Sequence, residues 1–191
     1  LIDRVLRSCI INKRPVYIEL PVDSVNAECS CNDAFDLYEK RYSDATSLKE
    51  CVDEVAEIIN TSKNPVLLAG VELHRFGLAE KTLELVEKAE LPFATTISSK
   101  SVLPEIHPQF IGLYNGEFSR ENVKKQVENS DALLSLGVWM TDMNTGIFTA
   151  KLPKDRMINI NSEFARVRHH YYHKVWLGDF IDMLATRLKP R

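Results

Sequence analysis

The sequence predicts an α/β fold: an open, doubly wound parallel sheet of about six strands with helices on both faces, a Rossmann-like architecture. A short all-apolar run at 66–69 is typical of a strand buried on both faces, and the run 132–137, apolar except for Ser135, is the clearest strand of the chain. Amphipathic segments with helical spacing alternate with these runs, which favours βαβ units. In such sheets ligands bind beyond the carboxyl ends of the strands, so the loops at those ends are the candidate site.

The remaining elements follow from apolar periodicity along the chain. Ser47 is the predicted N-cap of the first helix of this domain, with Glu50 completing a capping box. Further helices are predicted near 78–89, 121–129 and 176–188, and further strands at 91–96, 110–113 and 156–161. The His- and Tyr-rich run 169–173 is interpreted as a packed or interfacial strand and not as a metal site, because adjacent strand residues point to opposite faces.

The first residues do not fit this domain. An amphipathic helix is followed by a predicted buried strand, 16–20, which Pro21 ends. One helix and one strand cannot form a core. We therefore expect residues 1–24 to be the end of another domain, either poorly packed here or paired with another copy of the chain. Residues 25–46 are then a polar linker, and residues 47–191 the complete α/β domain.

Composition excludes several classes of protein. The 191 residues are 45% hydrophobic, enough for a sizeable core, and the net charge of −3 gives no electrostatic footprint for nucleic acid. No apolar run reaches the length of a membrane span. The four cysteines form neither a zinc pattern nor a disulfide framework, which indicates reduced thiols and a cytoplasmic protein; they are Cys9, Cys29, Cys31 and Cys51.

Three strand-end loops carry the candidate site residues. In the loop 70–77, Glu72, His74 and Arg75 place an acid, an imidazole and a cation together; they are interpreted either as an anion or effector pocket or as solvated charges paired with a neighbouring helix. The loop 96–104 brings hydroxyls beside Lys100, which suits either an anion site or a turn.

The third loop, 137–149, contains Asp142, Asn144, Thr145 and Gly146. Their short polar side chains either shape the loop through local hydrogen bonds or belong to a mobile segment that meets a neighbouring domain. No nucleophile elbow, dinucleotide fingerprint or paired catalytic carboxylates are present. The residues alone therefore predict a parallel α/β domain with a ligand pocket at its strand ends and no catalytic, cofactor-binding or metal-ligating residue.

Seven segments, taken in order, carry a resemblance to a known family: RPVYIELP at 14–21, NPVLLAG at 64–70, LPFATT at 91–96, KSVLPEIHP at 100–108, GLYNG at 112–116, SDALLSLG at 130–137 and TDMNTGIF at 141–148. The first resembles the closing strand of the pyrimidine-binding domain of thiamine-diphosphate enzymes. The others resemble the middle domain that follows it. The last segment is similar to the pyruvate and indolepyruvate decarboxylase branch.

The resemblance implies a parent enzyme that decarboxylates 2-oxo acids with thiamine diphosphate and Mg²⁺, with the cofactor as electron sink. Its partners would be the missing pyrimidine- and diphosphate-binding domains, in a homodimer or homotetramer. The family's Gly-Asp-Gly cofactor motif is absent, since Gly178-Asp179 precedes Phe180. Glu72 and Leu73 stand where some relatives carry a substrate-sensing cysteine, and residues 142–146 match a loop that orders on activation.

We therefore expect a structural and regulatory middle domain that is inactive in isolation, binds no thiamine diphosphate or Mg²⁺, and signals between domains through Asp142, Asn144, Thr145 and Gly146. The alternative is a Rossmann-like module that binds a nucleotide, FAD or ADP, at the strand ends. Ligand stabilisation in a thermal-shift screen distinguishes the two.

Overall fold

The structure, a computed structural model, describes residues 2–28, 30 and 41–191, which form two compact units, Leu1–Arg41 and Tyr42–Arg191. Cys29 and Cys31 lie outside the described residues, as does half of the predicted linker. In the first unit, helix α1 spans Ile2–Asn12 and a short 3-10 helix spans Val22–Ser24. None of the described residues up to 24 is buried, which agrees with the poor packing expected of this segment.

The predicted strand at 16–20 is wrong. These residues have no strand pairing, and Tyr17 and Leu20 are 82% and 59% exposed. A strand forms only where a neighbouring strand accepts and donates its backbone hydrogen bonds. The described residues of the first unit supply no such neighbour.

The second unit contains the sheet and the remaining helices. The helices are α2 (Ala45–Thr61), α3 (Val71–Arg75), α4 (Ala79–Ala89), α5 (Glu121–Glu128) and α6 (Leu177–Arg187). The strands are β1 (Pro65–Ala69), β2 (Phe93–Thr95), β3 (Phe110–Leu113), β4 (Ala132–Leu136), β5 (Met157–Ile160), β6 (Ala165–Val167) and β7 (His170–Tyr172).

The sheet confirms the predicted architecture and adds one strand to it. Its order is β3-β2-β1-β4-β5-β6-β7, and the first five strands are parallel. The last two pair antiparallel, which the prediction of a parallel sheet did not include. The turn between β5 and β6 is too short for a crossover, and it is closed by the Asn161 side chain, which accepts from the backbone N–H groups of Glu163 and Phe164.

Both faces of the sheet are covered, as a doubly wound fold requires. On one face α2, α4 and α6 pack over fully buried side chains such as Leu67 and Leu134. On the other, α5 covers Leu68 and Leu133. Neighbouring residues of one strand thus point into two different cores, which is why β1 is apolar at every position and β4 at every position except Ser135. Each fully buried leucine stabilises the fold by about 1.5–3 kcal/mol.

Helix α2 begins earlier than predicted. Asp44, not Ser47, is its N-cap, and the Asp44 carboxylate accepts from the backbone N–H of Ser47 at 2.9 Å. This hydrogen bond holds the pKa of Asp44 below its ordinary value. A serine hydroxyl and a carboxylate can both accept from a free N–H of the first turn. Only the carboxylate adds a negative charge that complements the helix dipole.

The His- and Tyr-rich run contains β7, the edge strand that pairs with β6, so the interpretation of this run as a strand is confirmed. Tyr172 donates to Glu54 Oε2 at 2.6 Å, and His170 Nδ1 lies 3.3 Å from the same oxygen. Burial and then the Glu54 hydrogen bond raise the pKa of Tyr172. Among the described residues no cluster of histidine, cysteine or acidic side chains has metal-binding geometry.

Within the described ranges, no helix is both long enough and apolar enough to cross a lipid bilayer.

Candidate functional site

The strand order reverses between β1 and β4, and this is the point of the sheet where doubly wound folds bind ligands. Here the two strand ends touch through their backbones. Gly70 N–H donates to Leu136 O at 2.9 Å, and Glu72 N–H donates to Gly137 O at 3.1 Å. A Cβ on Gly70 would lie 2.1 Å from Gly137 O, so only glycine permits this approach. The crevice is therefore narrow at its base.

The Glu72 carboxylate fills the crevice. Its side chain is 1% exposed and accepts hydrogen bonds from three groups: Trp139 Nε1 at 2.8 Å, the backbone N–H of Ser162 at 2.7 Å, and the Ser162 hydroxyl. These donors follow β4 and β5, whereas Glu72 follows β1. One buried charge thus connects three strand ends, and the donors offset the cost of removing it from water.

The three residues predicted as an effector site do not converge. Glu72 points inward, His74 is exposed, and the Arg75 guanidinium lies over the Trp139 ring at 4.3 Å from its centroid. Residues 71–75 form a short helix instead of a loop. Arg75 and Trp139 thus stack on each other beside the buried carboxylate through a cation–π contact. The effector role of these residues stays a prediction.

The hydroxyls of the second loop are engaged in holding the backbone. Ser99 Oγ donates to Ala69 O at 2.6 Å and accepts from Thr96 N–H at 2.9 Å. Lys100 lies on the surface, 3.6 Å from Glu105. His107 packs against the Phe93 ring. The polar groups that suggested an anion site therefore form the 3-10 turn that ends β2, which is the turn interpretation of this loop.

The third loop is attached to the second through Asn144, which is 4% exposed. Its Oδ1 accepts from Ser98 N–H at 3.1 Å and its Nδ2 donates to Trp139 O at 2.9 Å. Thr145 Oγ1 donates to Thr141 O at 2.7 Å, within the loop. Asp142 is exposed, and its carboxylate accepts from the backbone N–H of its neighbour Met143 at 2.8 Å. Asn144 thus couples this loop to the second loop.

The end of this loop presents apolar side chains to solvent. Gly146, Ile147 and Phe148 have φ angles of +59°, +54° and +61°. A Cβ on Gly146 would lie 2.3 Å from Asn115 O, so the turn requires glycine there. Ile147 and Phe148 are 68% and 74% exposed. A β-branched residue in the left-handed region costs about 1–2 kcal/mol, which the packing of the adjacent Asn144–Gly146 segment offsets.

Sequence reasoning missed Ser162 and the role of Trp139. Both follow strands directly, and the rule that ligands and polar groups gather at carboxyl strand ends was the available signal. The sequence did not indicate a role for Ser162 because it does not give the strand order. β5 lies next to β4, so its end reaches the residue that follows β1.

The incomplete Gly-Asp-Gly pattern at 178–180 lies at the start of α6. Its acid, Asp179, accepts hydrogen bonds from Ser43 N–H and Oγ at 3.1 and 2.7 Å. The Asp179 carboxylate therefore anchors the helix. Among the residues that the structure describes, those of this pattern do not fit thiamine diphosphate and its metal, and no step of the cofactor's chemistry is assigned to them.

Fold and strand-end geometry define the class: a Rossmann-like central domain whose ligand crevice is closed by its own side chains. The chain belongs to the thiamine pyrophosphate enzyme central-domain family, whose model matches residues 52–186.

The chain is similar to pyruvate decarboxylases from yeasts. It is 31% identical to that of Kluyveromyces marxianus over 191 residues, which are 98% of this chain and 34% of that protein. It is 32% identical to pyruvate decarboxylase isozyme 3 of Saccharomyces cerevisiae over 88% of the chain and 30% of the relative. It is 34% identical to the Candida glabrata pyruvate decarboxylase over the same shares. The chain therefore spans about a third of the length of these relatives.

Proposed function

We propose that the chain is the central domain of a thiamine-diphosphate- and Mg²⁺-dependent 2-oxo acid decarboxylase of the pyruvate decarboxylase type. The observation that carries the proposal is the unbroken similarity to pyruvate decarboxylases over 98% of the chain, beyond the 52–186 stretch of the central-domain family. Residues 1–24 are then the end of the pyrimidine-binding domain, 25–46 the linker and 47–191 the central domain.

The role of this domain would be to hold apart the two domains that bind the cofactor, in a cytoplasmic homodimer or homotetramer. Thiamine diphosphate supplies the electron sink for loss of carbon dioxide when it is bound in the parent enzyme. The side chains of this chain contribute rigidity instead. The Glu72 hydrogen bonds and the Gly70–Gly137 contact give strand ends that keep one geometry.

A regulatory role would use the same connections. Asn144 connects the 139–149 loop to the second loop through Ser98 and to Trp139, which also contacts Glu72. A partner domain that displaced Ile147 and Phe148 would therefore also perturb the hydrogen bonds of the buried Glu72 carboxylate. This is the interdomain signalling expected of Asp142, Asn144, Thr145 and Gly146.

The nucleotide-binding alternative is less well supported. A nucleotide at the switch point would place phosphates near the ends of β1 and β4. Glu72 puts a buried negative charge there, and Trp139 and Arg75 cover it. Helix α3, which would have to cradle the phosphate, has only five residues.

A chimera tests the main proposal. The matching third of the Kluyveromyces marxianus pyruvate decarboxylase is replaced by this chain, and pyruvate decarboxylation is measured with thiamine diphosphate and Mg²⁺. We expect an assembled enzyme with a kcat within about tenfold of the parent's, since the cofactor sites lie in the retained domains. The control chimera carries an unrelated Rossmann-like domain of similar length. Equal activity of the two chimeras, or none in either, contradicts the proposal.

The chain alone separates the two candidate functions. Calorimetric titration with thiamine diphosphate and Mg²⁺ should give no binding heat. FAD and ADP at 1 mM, about a thousandfold above a micromolar dissociation constant, would stabilise a nucleotide-binding module by roughly 4 kcal/mol. A melting temperature that rises by several degrees with either nucleotide would support the alternative instead.

A further inference from the structure

A cleft of about 370 Å³ lies at the amino-terminal edge of β1 and β2, on the opposite side of the sheet from the strand-end site. Its volume is in the range of small-molecule sites in proteins. All of its lining residues belong to the second unit, so the cleft is complete within one compact body. The strand-end network and the proposed decarboxylase function make no use of it.

The floor of the cleft is apolar. Pro65 and Val66 begin β1 and are buried, and Pro92 directly precedes β2. Proline has no backbone N–H, so the two proline rings present carbon where a strand end would otherwise offer a donor. A flat apolar group can therefore rest on this floor without leaving a buried donor unsatisfied.

The rim is cationic. Lys63, Lys125 and Arg191 line the cleft, and Glu90 carries the one side-chain carboxylate among its lining residues. Neither lysine forms an ion pair with any residue that the structure describes. Arg191 donates only to backbone carbonyls, those of Ile59, Ser62 and Lys63. The formal charge of the rim is thus positive and not neutralised by ion pairing.

Two features give the rim a defined geometry. The Asp131 carboxylate accepts from the backbone N–H groups of Lys63 and Asn64 at 2.6 and 2.9 Å, which fixes the segment before β1. On the other side, Lys125 and Gln126 project from the last turn of α5. The amide groups of Asn64, Gln126 and Asn129 also line the cleft and supply neutral hydrogen-bond partners beside the cations.

We propose that this cleft binds a small carboxylate with a flat apolar body, such as an arylacetate. The apolar body lies on Pro65, Val66 and Pro92, and the carboxylate meets Lys63, Lys125 and the Arg191 guanidinium. Charge alone would not select this class, because a free anion gains nothing from the proline floor. An uncharged arene leaves the cationic rim unused.

Three probes of graded chemistry test the site on the ¹⁵N-labelled 191-residue chain by NMR titration. Phenylacetate carries both the ring and the carboxylate, phenylacetamide only the ring, and acetate only the charge. We expect saturable shifts of the Val66 and Gln126 amide signals with phenylacetate, with a dissociation constant of about 1 mM or lower for a ligand of this size. The other two probes should bind at least about fivefold more weakly.

Charge reversal at the rim gives the second test. Lys125→Glu should weaken phenylacetate binding about tenfold, because it replaces an attraction at contact distance by a repulsion. Lys154→Glu, at an exposed lysine outside the cleft, is the matched control and should change the affinity less than twofold. Thermal unfolding of both variants checks that they are folded.

The proposal is overturned by any of three results: no saturable shifts at Val66 and Gln126, equal affinity for phenylacetate and phenylacetamide, or equal effects of the two lysine variants.

Discussion

Replacing Glu72 by alanine tests the central feature of the strand-end site. The substitution removes the acceptor of three hydrogen bonds, from Trp139 Nε1, Ser162 N–H and the Ser162 hydroxyl. Hydrogen bonds to charged groups contribute about 1.5–3 kcal/mol each, and a buried donor without an acceptor costs a similar amount. Trp139 and Ser162 are half-buried, so hydrogen bonds to water replace part of the lost stabilisation. We expect a net loss of about 3–5 kcal/mol in the free energy of unfolding.

Urea unfolding followed by far-UV circular dichroism measures this loss, and the melting temperature should fall by roughly 10 °C for a domain of this size. Glu84→Ala is the control, because Glu84 is exposed on α4 and should change stability by less than about 0.5 kcal/mol. Glu72→Gln keeps the shape of the side chain and one acceptor oxygen, so its loss of stability should lie between those of Glu72→Ala and Glu84→Ala. If Glu72→Ala costs less than about 1 kcal/mol, the carboxylate does not hold the three strand ends together.

Three further predictions concern the same domain. Gly70→Ala should lower the free energy of unfolding by about 3 kcal/mol or more, since its Cβ would lie 2.1 Å from Gly137 O. Gly77→Ala has open space around its Cβ and is opposed only by a φ of +67°. It should therefore cost about 1 kcal/mol in the same denaturation assay. Asn144→Ala should cost about 1–3 kcal/mol and speed amide hydrogen exchange in 139–149; unchanged exchange would mean that Asn144 does not anchor the loop. Burial raises the pKa of Cys51 to about 12, so the folded thiol keeps its proton while the unfolded thiol loses it near pH 9. Stability should therefore fall by about 1 kcal/mol per pH unit as pH rises above 9, and Cys51→Ala should remove that part of the slope.

Local sequence information was sufficient for most individual elements. The runs that predicted β1 and β4 are buried along their whole length, as strands covered on both faces are. Helices α4, α5 and α6 lie within about two residues of their predicted bounds, because each has one apolar stripe and a polar remainder. The family, too, was visible in the order of short segments.

Local patterns failed where the decision depended on a neighbour. The segment 16–20 has the composition of a strand, yet it is irregular and exposed, and no strand of the described part of the first unit pairs with it. The cap of α2 was misplaced by three residues, since Ser47 is a good cap in sequence and Asp44 is the one whose carboxylate reaches a free N–H.

The sequence alone determined the fold class, the strand-end location of the candidate site and the residue types gathered there, since these depend on periodicity and composition within a few residues. The tertiary structure decided which of those residues meet. Glu72 and Ser162 are separated by 90 positions and hydrogen-bonded only because β1, β4 and β5 are neighbours in the sheet. Strand order is a property of long-range pairing, and no local pattern encodes it. The same pairing sets Glu72 and His74 apart, one buried and the other in solvent.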